Sequence, residues 1–76
     1  MPALPLSLLS PNQRARVVSI SGGRGLIKRL NEMGVTPGAE VMVVNRAVRG
    51  PLIVIVRGAR VAIGRGLATK ITVMPE

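Results

Sequence analysis

From residue 14 onward the apolar positions come in short runs separated by glycine and proline. In "RARVVSI", residues 14 to 20, Ala15, Val17 and Ser19 share one face and Arg16, Val18 and Ile20 the other. The alternation is imperfect, but β-branched residues dominate, so a strand is predicted. Glycines at 22, 23 and 25 follow. At 100° per residue Leu26, Ile27, Leu30 and Met33 then fall on one arc, opposite Lys28, Asn31 and Glu32. This predicts a short amphipathic helix that ends at Gly34, a position suited to a left-handed cap. In "VTPG", residues 35 to 38, Pro37 and Gly38 stand in the order of a type II turn. Strands are expected over Glu40–Arg46 and Leu52–Arg57, joined through "AVRGP" as a hairpin with a longer loop. A second reversal at Gly58-Ala59 leads into "RVAIG". "GRGLA" makes a tight corner before "TKITVM", where Ile71 and Val73 face one way and Lys70 and Thr72 the other.

About five short strands, with one helix after the first, predict a mainly β fold: a small closed or nearly closed barrel. Closure would remove edges that so apolar a chain could use to aggregate. The unbroken "LIVIV" of residues 52 to 56 suits either half of a hydrophobic binding surface or a strand covered on both faces. The covered strand is the simpler reading.

The chain of 76 residues has room for a single domain. At this size only about 60% of the unfolded surface is buried on folding, so the core must be rich in aliphatic side chains or be stapled. There is no cysteine and no aromatic residue; Val, Ile, Leu, Met and Ala supply the core alone. Lack of cysteine fits a reducing compartment. The start, "MPALPLSLLSP", has no basic leader and carries Pro2, Pro5 and Pro11, which makes a poor signal peptide. No apolar run reaches the roughly 18 residues of a membrane span. These features lead us to expect a cytoplasmic protein with its ordered core at about residues 8–74.

Eleven basic residues against Glu32, Glu40 and Glu76 give a formal charge of +8. Such a surface favours anionic partners: nucleic acid, the inner face of a membrane, or an acidic protein. Single-strand binders of barrel type lean on aromatic platforms, which are missing here, so nucleic acid is disfavoured. Catalysis is hard to build without His, Cys or Asp, and so is a self-contained metal site. Met33, Met42 and Met74 are read as core filler. The loop "SISGGRGLIKRL" looks at first like a phosphate cradle. Lys28 stands where a dinucleotide fingerprint needs its third glycine, and no G-x-x-x-x-G-K-[ST] is present. The loop is therefore read as a sharp strand-to-helix turn, although Arg24 and the free N–H groups of the helix start retain some capacity for an anion.

The punctuation is more specific than any of these motifs. Arg29-Leu30-Asn31-Glu32-Met33-Gly34-Val35-Thr36-Pro37-Gly38 resembles the R-L-x-E-[LM]-G-[LVM]-x-P-G element of the FeoA family, small accessory proteins of ferrous iron uptake. Gly50-Pro51-Leu52, Gly58, the "VAIGR" of Val61 to Arg65, Ala68, Ile71 and Val73 resemble the family's later positions in order and spacing. The resemblance runs from Leu8 to Met74. It departs at Pro11-Asn12, where the family often has Pro-Gly, although Asn tolerates a positive φ.

The resemblance implies an SH3-like β-barrel. It also implies a role without cofactor, docking on the cytoplasmic GTPase part of a FeoB-type membrane iron transporter. Peripheral association with an anionic membrane face would suit the charge. The same domain type forms the C-terminal part of DtxR-like repressors, so a metal-regulatory interaction domain with a site between subunits stands as an alternative. A small basic barrel that binds nucleic acid is another. For partner binding the candidates are Arg24, Lys28 and Arg29 on the helix side, with Arg49, Arg60 and Arg65 from the loops. Leu26, Ile27, Leu30 and Met33 are expected to seat the helix, and Gly34, Pro37 and Gly38 to shape the turn after it.

Overall fold

Alternation along each apolar run leaves every strand with one face inside. The computed structural model describes residues 2–45 and 49–76. Its strands are β1 (Leu4–Pro5), β2 (Arg14–Ile20), β3 (Glu40–Asn45), β4 (Leu52–Val56), β5 (Ala59–Ile63) and β6 (Ile71–Pro75). The helices are α1 (Arg24–Glu32) and the single turn α2 (Arg65–Ala68), with a 3-10 turn at Leu6–Leu8. All six strands belong to one sheet in the order β1-β6-β2-β3-β4-β5, and each pairing is antiparallel. The fold is mainly β with the helix after the first long strand, as the pattern predicts. The expected end of the β3 strand at Arg46, and the loop residues 47 and 48, lie outside the described residues.

The sheet curls around one aliphatic core. Ala15 and Val17 of β2, Val41 and Val43 of β3, Leu52, Val54 and Val56 of β4, Ile63 of β5, and Ile71 and Val73 of β6 are all buried in one cluster. Leu30 and Val35 join it from the α1 side and Ala68 from α2. Among the described residues no charged or polar side chain is buried with them. Hydrophobic burial carries the fold.

The structure refines the sequence reading in several places. The ordered core starts earlier than residue 8: β1 pairs Leu4 with Val73, and Leu6 and Leu9 are completely buried. Pro5 is compatible with a strand here because β1 is an edge strand, where a missing N–H goes unmissed. At the other edge, β5 pairs only with β4 among the described residues, which leaves the ladder open there, within the closed or nearly closed barrel that the pattern predicts. The corner at "GRGLA" winds into the α2 turn, closed by Ala68 N–H donating to the Gly64 carbonyl at 2.9 Å. Finally, β4 stops at Val56, and Arg57 becomes the first residue of the β4–β5 turn. Its φ is +52° and that of Gly58 +79°, the pair of positive angles that a two-residue type I′ hairpin needs.

In β2 the alternation holds through Val18 and then slips. A bulge between Val17 and Ser19 against β6 shifts the register. Ser19 becomes exposed, and Ile20 turns inward to pack on the core. The helix end follows the sequence closely. Val35 N–H donates to the Leu30 carbonyl at 2.9 Å and Gly34 N–H to the Asn31 carbonyl at 3.0 Å, the two bonds of a Schellman motif. Gly34 sits at φ +92°. A Cβ there would come within 3.3 Å of both Val56 and Arg57, so the helix end and the β4–β5 turn meet at a place where glycine alone fits without adjustment.

The next turn is closed by Ala39 N–H donating to Thr36 at 3.0 Å, with Gly38 at φ +90°. Gly38 N–H also donates to Val17 at 2.7 Å, which fixes this turn against β2. Asn12 takes the positive φ allowed to it, +67°, and its N–H reaches the Val43 carbonyl.

Candidate binding surface

The glycine loop resolves into one glycine with a steric duty and two without. Gly22 has φ +141°, and a Cβ on it would lie 2.6 Å from Leu26 Cδ2. Leu26 can therefore fold back over the turn and pack on the core. Gly23 and Gly25 meet nothing within 4 Å of a built Cβ. α1 begins at Arg24 without a side-chain cap and without an acidic residue in its first turn. The loop turns a corner and lets the helix start.

On α1, Leu30 is completely buried, and Leu26 and Met33 are partly buried against the core. Ile27 is half-buried and sits elsewhere, in an open depression it shares with Arg24, Lys28, Asn31 and Glu32. Arg29 is exposed near the helix C-terminus, where a cation interacts well with the helix dipole. Arg24 and Lys28 thus come together on one side of α1, one turn apart.

The loop candidates divide. Arg65 is half-buried, and its Nε donates to the Gly50 carbonyl at 2.9 Å, tying α2 to the β3–β4 connection. Its neighbour across that bond, Arg49, is exposed. Arg60 projects from the outer face of β5 and lies opposite Ile55. The six basic candidates therefore fall on three supports: α1, the β3–β4 connection with α2, and the outside of β5.

The ladders show a further arrangement on the outside of the sheet. Arg14 lies opposite Met42, Met42 opposite Ile55, and Ile55 opposite Arg60. The two aliphatic side chains are half-buried and the two arginines exposed. A groove of about 390 Å³ runs over this floor, lined by Arg14, Glu40, Val41, Met42, Ile55, Arg57 and Gly58. Sequence reasoning missed Arg14 as part of a site and placed Met42 in the core. The signal was the same alternation that predicts the strands, since Ile53 and Ile55 are the outward positions of "LIVIV". The strand is buried on one face and half-covered on the other, which departs from the two-sided burial expected.

Little else is available for chemistry. Among the described residues there is one ion pair, Arg16 Nε to Glu76 Oε1 at 3.1 Å, and Arg16 also donates to the Gly38 carbonyl at 3.0 Å. No three His, Cys, Asp or Glu side chains gather among the described residues. No described helix is long and apolar enough to cross a membrane.

A curled antiparallel sheet on an aliphatic core, with charge confined to the outside, is the architecture of a small SH3-like domain. Comparison with solved structures agrees. A crystal structure of an iron uptake regulatory protein, FeoA, superposes with a TM-score of 0.93 at 40% identity, over 99% of this chain and 100% of that one. The zinc-complexed FeoA of Stenotrophomonas maltophilia, described as a prokaryotic SH3 domain protein, superposes at 0.77 and 30% identity over 90% of this chain and 86% of that one. In sequence, Fe(2+) transport protein A of Methanocaldococcus jannaschii is 39% identical over 69 residues, 91% of this chain and 83% of that protein. The FeoA domain profile matches residues 4–75. The chain belongs to the FeoA domain family.

Proposed function

We propose that the protein is an accessory component of ferrous iron uptake. In this reading it catalyses no reaction and docks in the cytoplasm, through its basic surface, on the GTPase part of a FeoB-type membrane transporter. The observation that carries the transport role is the family match over residues 4–75, together with the 39% identity to a protein named for Fe(2+) transport. The geometry supports binding as the mode of action. Among the described residues the core holds only apolar side chains, and Arg14, Arg24, Lys28, Arg29, Arg49, Arg57 and Arg60 are all exposed around it. An excess of positive charge steers encounters with an acidic face and suppresses wrong partners.

The test is uptake of radiolabelled Fe(2+) in the native host after deletion of the gene. Uptake at low external Fe(2+) should fall severalfold and return when the chain is supplied from a plasmid. Unchanged uptake in the deletion strain would contradict the transport role.

A further inference from the structure

Strands lie about 4.8 Å apart in a sheet, so the row Arg14–Met42–Ile55–Arg60 spans roughly 14 Å across the outside of β2 to β5. Its middle is aliphatic and its ends are cationic. The groove above its Arg14–Met42–Ile55 part carries Arg14, Arg57 and Glu40 on its rim, and Arg60 stands beyond the groove at the far end of the row. None of Arg14, Arg57 and Arg60 is in an ion pair among the described residues; the Arg57 guanidinium makes a long bond to Thr36 Oγ1, at 3.4 Å.

We propose that this groove binds an extended acidic segment of a partner protein, in which two carboxylates flank an aliphatic residue at alternate positions. In an extended chain, side chains of one face recur every second residue, and residues four apart are separated by roughly 14 Å. That length matches the row. The outer carboxylates meet Arg14 and Arg60, and the middle side chain lies on Met42 and Ile55.

The chemistry distinguishes this ligand from two others. Proline-rich segments dock in grooves lined by aromatic rings, and this chain has none. A bilayer takes up apolar side chains that protrude from a surface. Here they form a half-buried floor below charged side chains. Glu40, on the same rim, repels an acidic ligand and so opposes the pull of the arginines. The identity of the partner rests on the docking reading above, whereas the chemistry of the groove can be tested without that partner.

The experiment is an NMR titration of the 15N-labelled full chain with the peptide acetyl-Ser-Glu-Ser-Leu-Ser-Glu-Ser-amide at low ionic strength. Saturable shifts are expected at the amides of Arg14, Met42, Ile55 and Arg60. Replacing both glutamates of the peptide by Gln should weaken binding by about tenfold or more, as should the double variant Arg14→Gln/Arg60→Gln. Glu40→Gln should tighten it about twofold to fivefold. All three positions are exposed, so the variants should fold as the parent does.

Shifts centred on α1, equal binding of the Gln peptide, or no saturable shift would overturn the proposal. So would phosphatidylglycerol vesicles shifting these four residues where the peptide does not. A failed titration beside an intact uptake requirement removes the groove and leaves the transport role standing. A successful titration beside unchanged uptake does the reverse.

Discussion

Gly22 and Gly25 lie three residues apart, yet a methyl group added to each should act in opposite directions. At Gly22 the backbone sits at φ +141° and a Cβ would run into Leu26 at 2.6 Å. Gly22→Ala should cost roughly 1–3 kcal/mol in denaturant unfolding, because both the backbone and the leucine must move. Gly25 is inside α1, with helical geometry and open space around it. Gly25→Ala should stabilise the protein by about 0.5–1 kcal/mol by restricting the unfolded chain. If Gly25→Ala is destabilising, the glycine has an intramolecular duty that its surroundings do not show. If it is stabilising yet lowers iron uptake, the first turn of α1 approaches a partner closely.

Both glycines look alike in the sequence. Their difference depends on where Leu26 folds back, which local pattern does not contain. Arg57 is a similar case. The apolar run before it predicts the last residue of a strand, but the hairpin needs two positive φ angles, and Arg57-Gly58 supplies the turn.

At the scale of elements, α1 depends on a narrow seam. Leu30 is its completely buried side chain, and its carbonyl also accepts the Schellman bond from Val35. Leu30→Ala should cost roughly 2–5 kcal/mol, by lost burial and the cavity left behind. For a domain of this size that is a fall in Tm of about 10 °C or more. A variant that keeps its Tm but loses iron uptake would make Leu30 a contact residue and not a core residue.

The elements themselves were largely legible from the sequence. Periodicity located α1 and the five longer strands, and Gly34 and the Pro37-Gly38 pair marked the points where the chain turns. What pattern missed was held by long-range contacts. β1 is two residues long and exists through its pairing with β6, and the bulge at Val17–Ser19 exists through the register of the same strand. The angle of Ile27 on the helix groups it with the core. The core lies to one side of that arc, and Ile27 falls at the edge, among Arg24 and Lys28.

For the whole molecule, the sequence gives the charge, and the sheet decides where it can act. Knowing that the chain carries +8 does not reveal that Arg14 and Arg60, far apart in sequence, end one row across four strands. That row is a property of register, and register comes from the hairpins and bulges together. It also changes the meaning of "LIVIV": the inward positions build the core, while the outward ones give the basic surface an apolar floor. Among the described residues the buried side chains are aliphatic and the arginines outside are mostly exposed, and the proposed docking role rests on that division.

The most direct test is equilibrium binding of the purified full chain to the purified cytoplasmic GTPase part of the host's FeoB-type transporter, read by calorimetry at physiological salt and again at higher salt. Saturable binding is expected, weakening as salt rises because exposed charge pairs are screened. It should be reduced about tenfold or more by Arg14→Gln/Arg60→Gln. Absence of binding at either salt, with the chain folded and the GTPase active, would contradict the docking account.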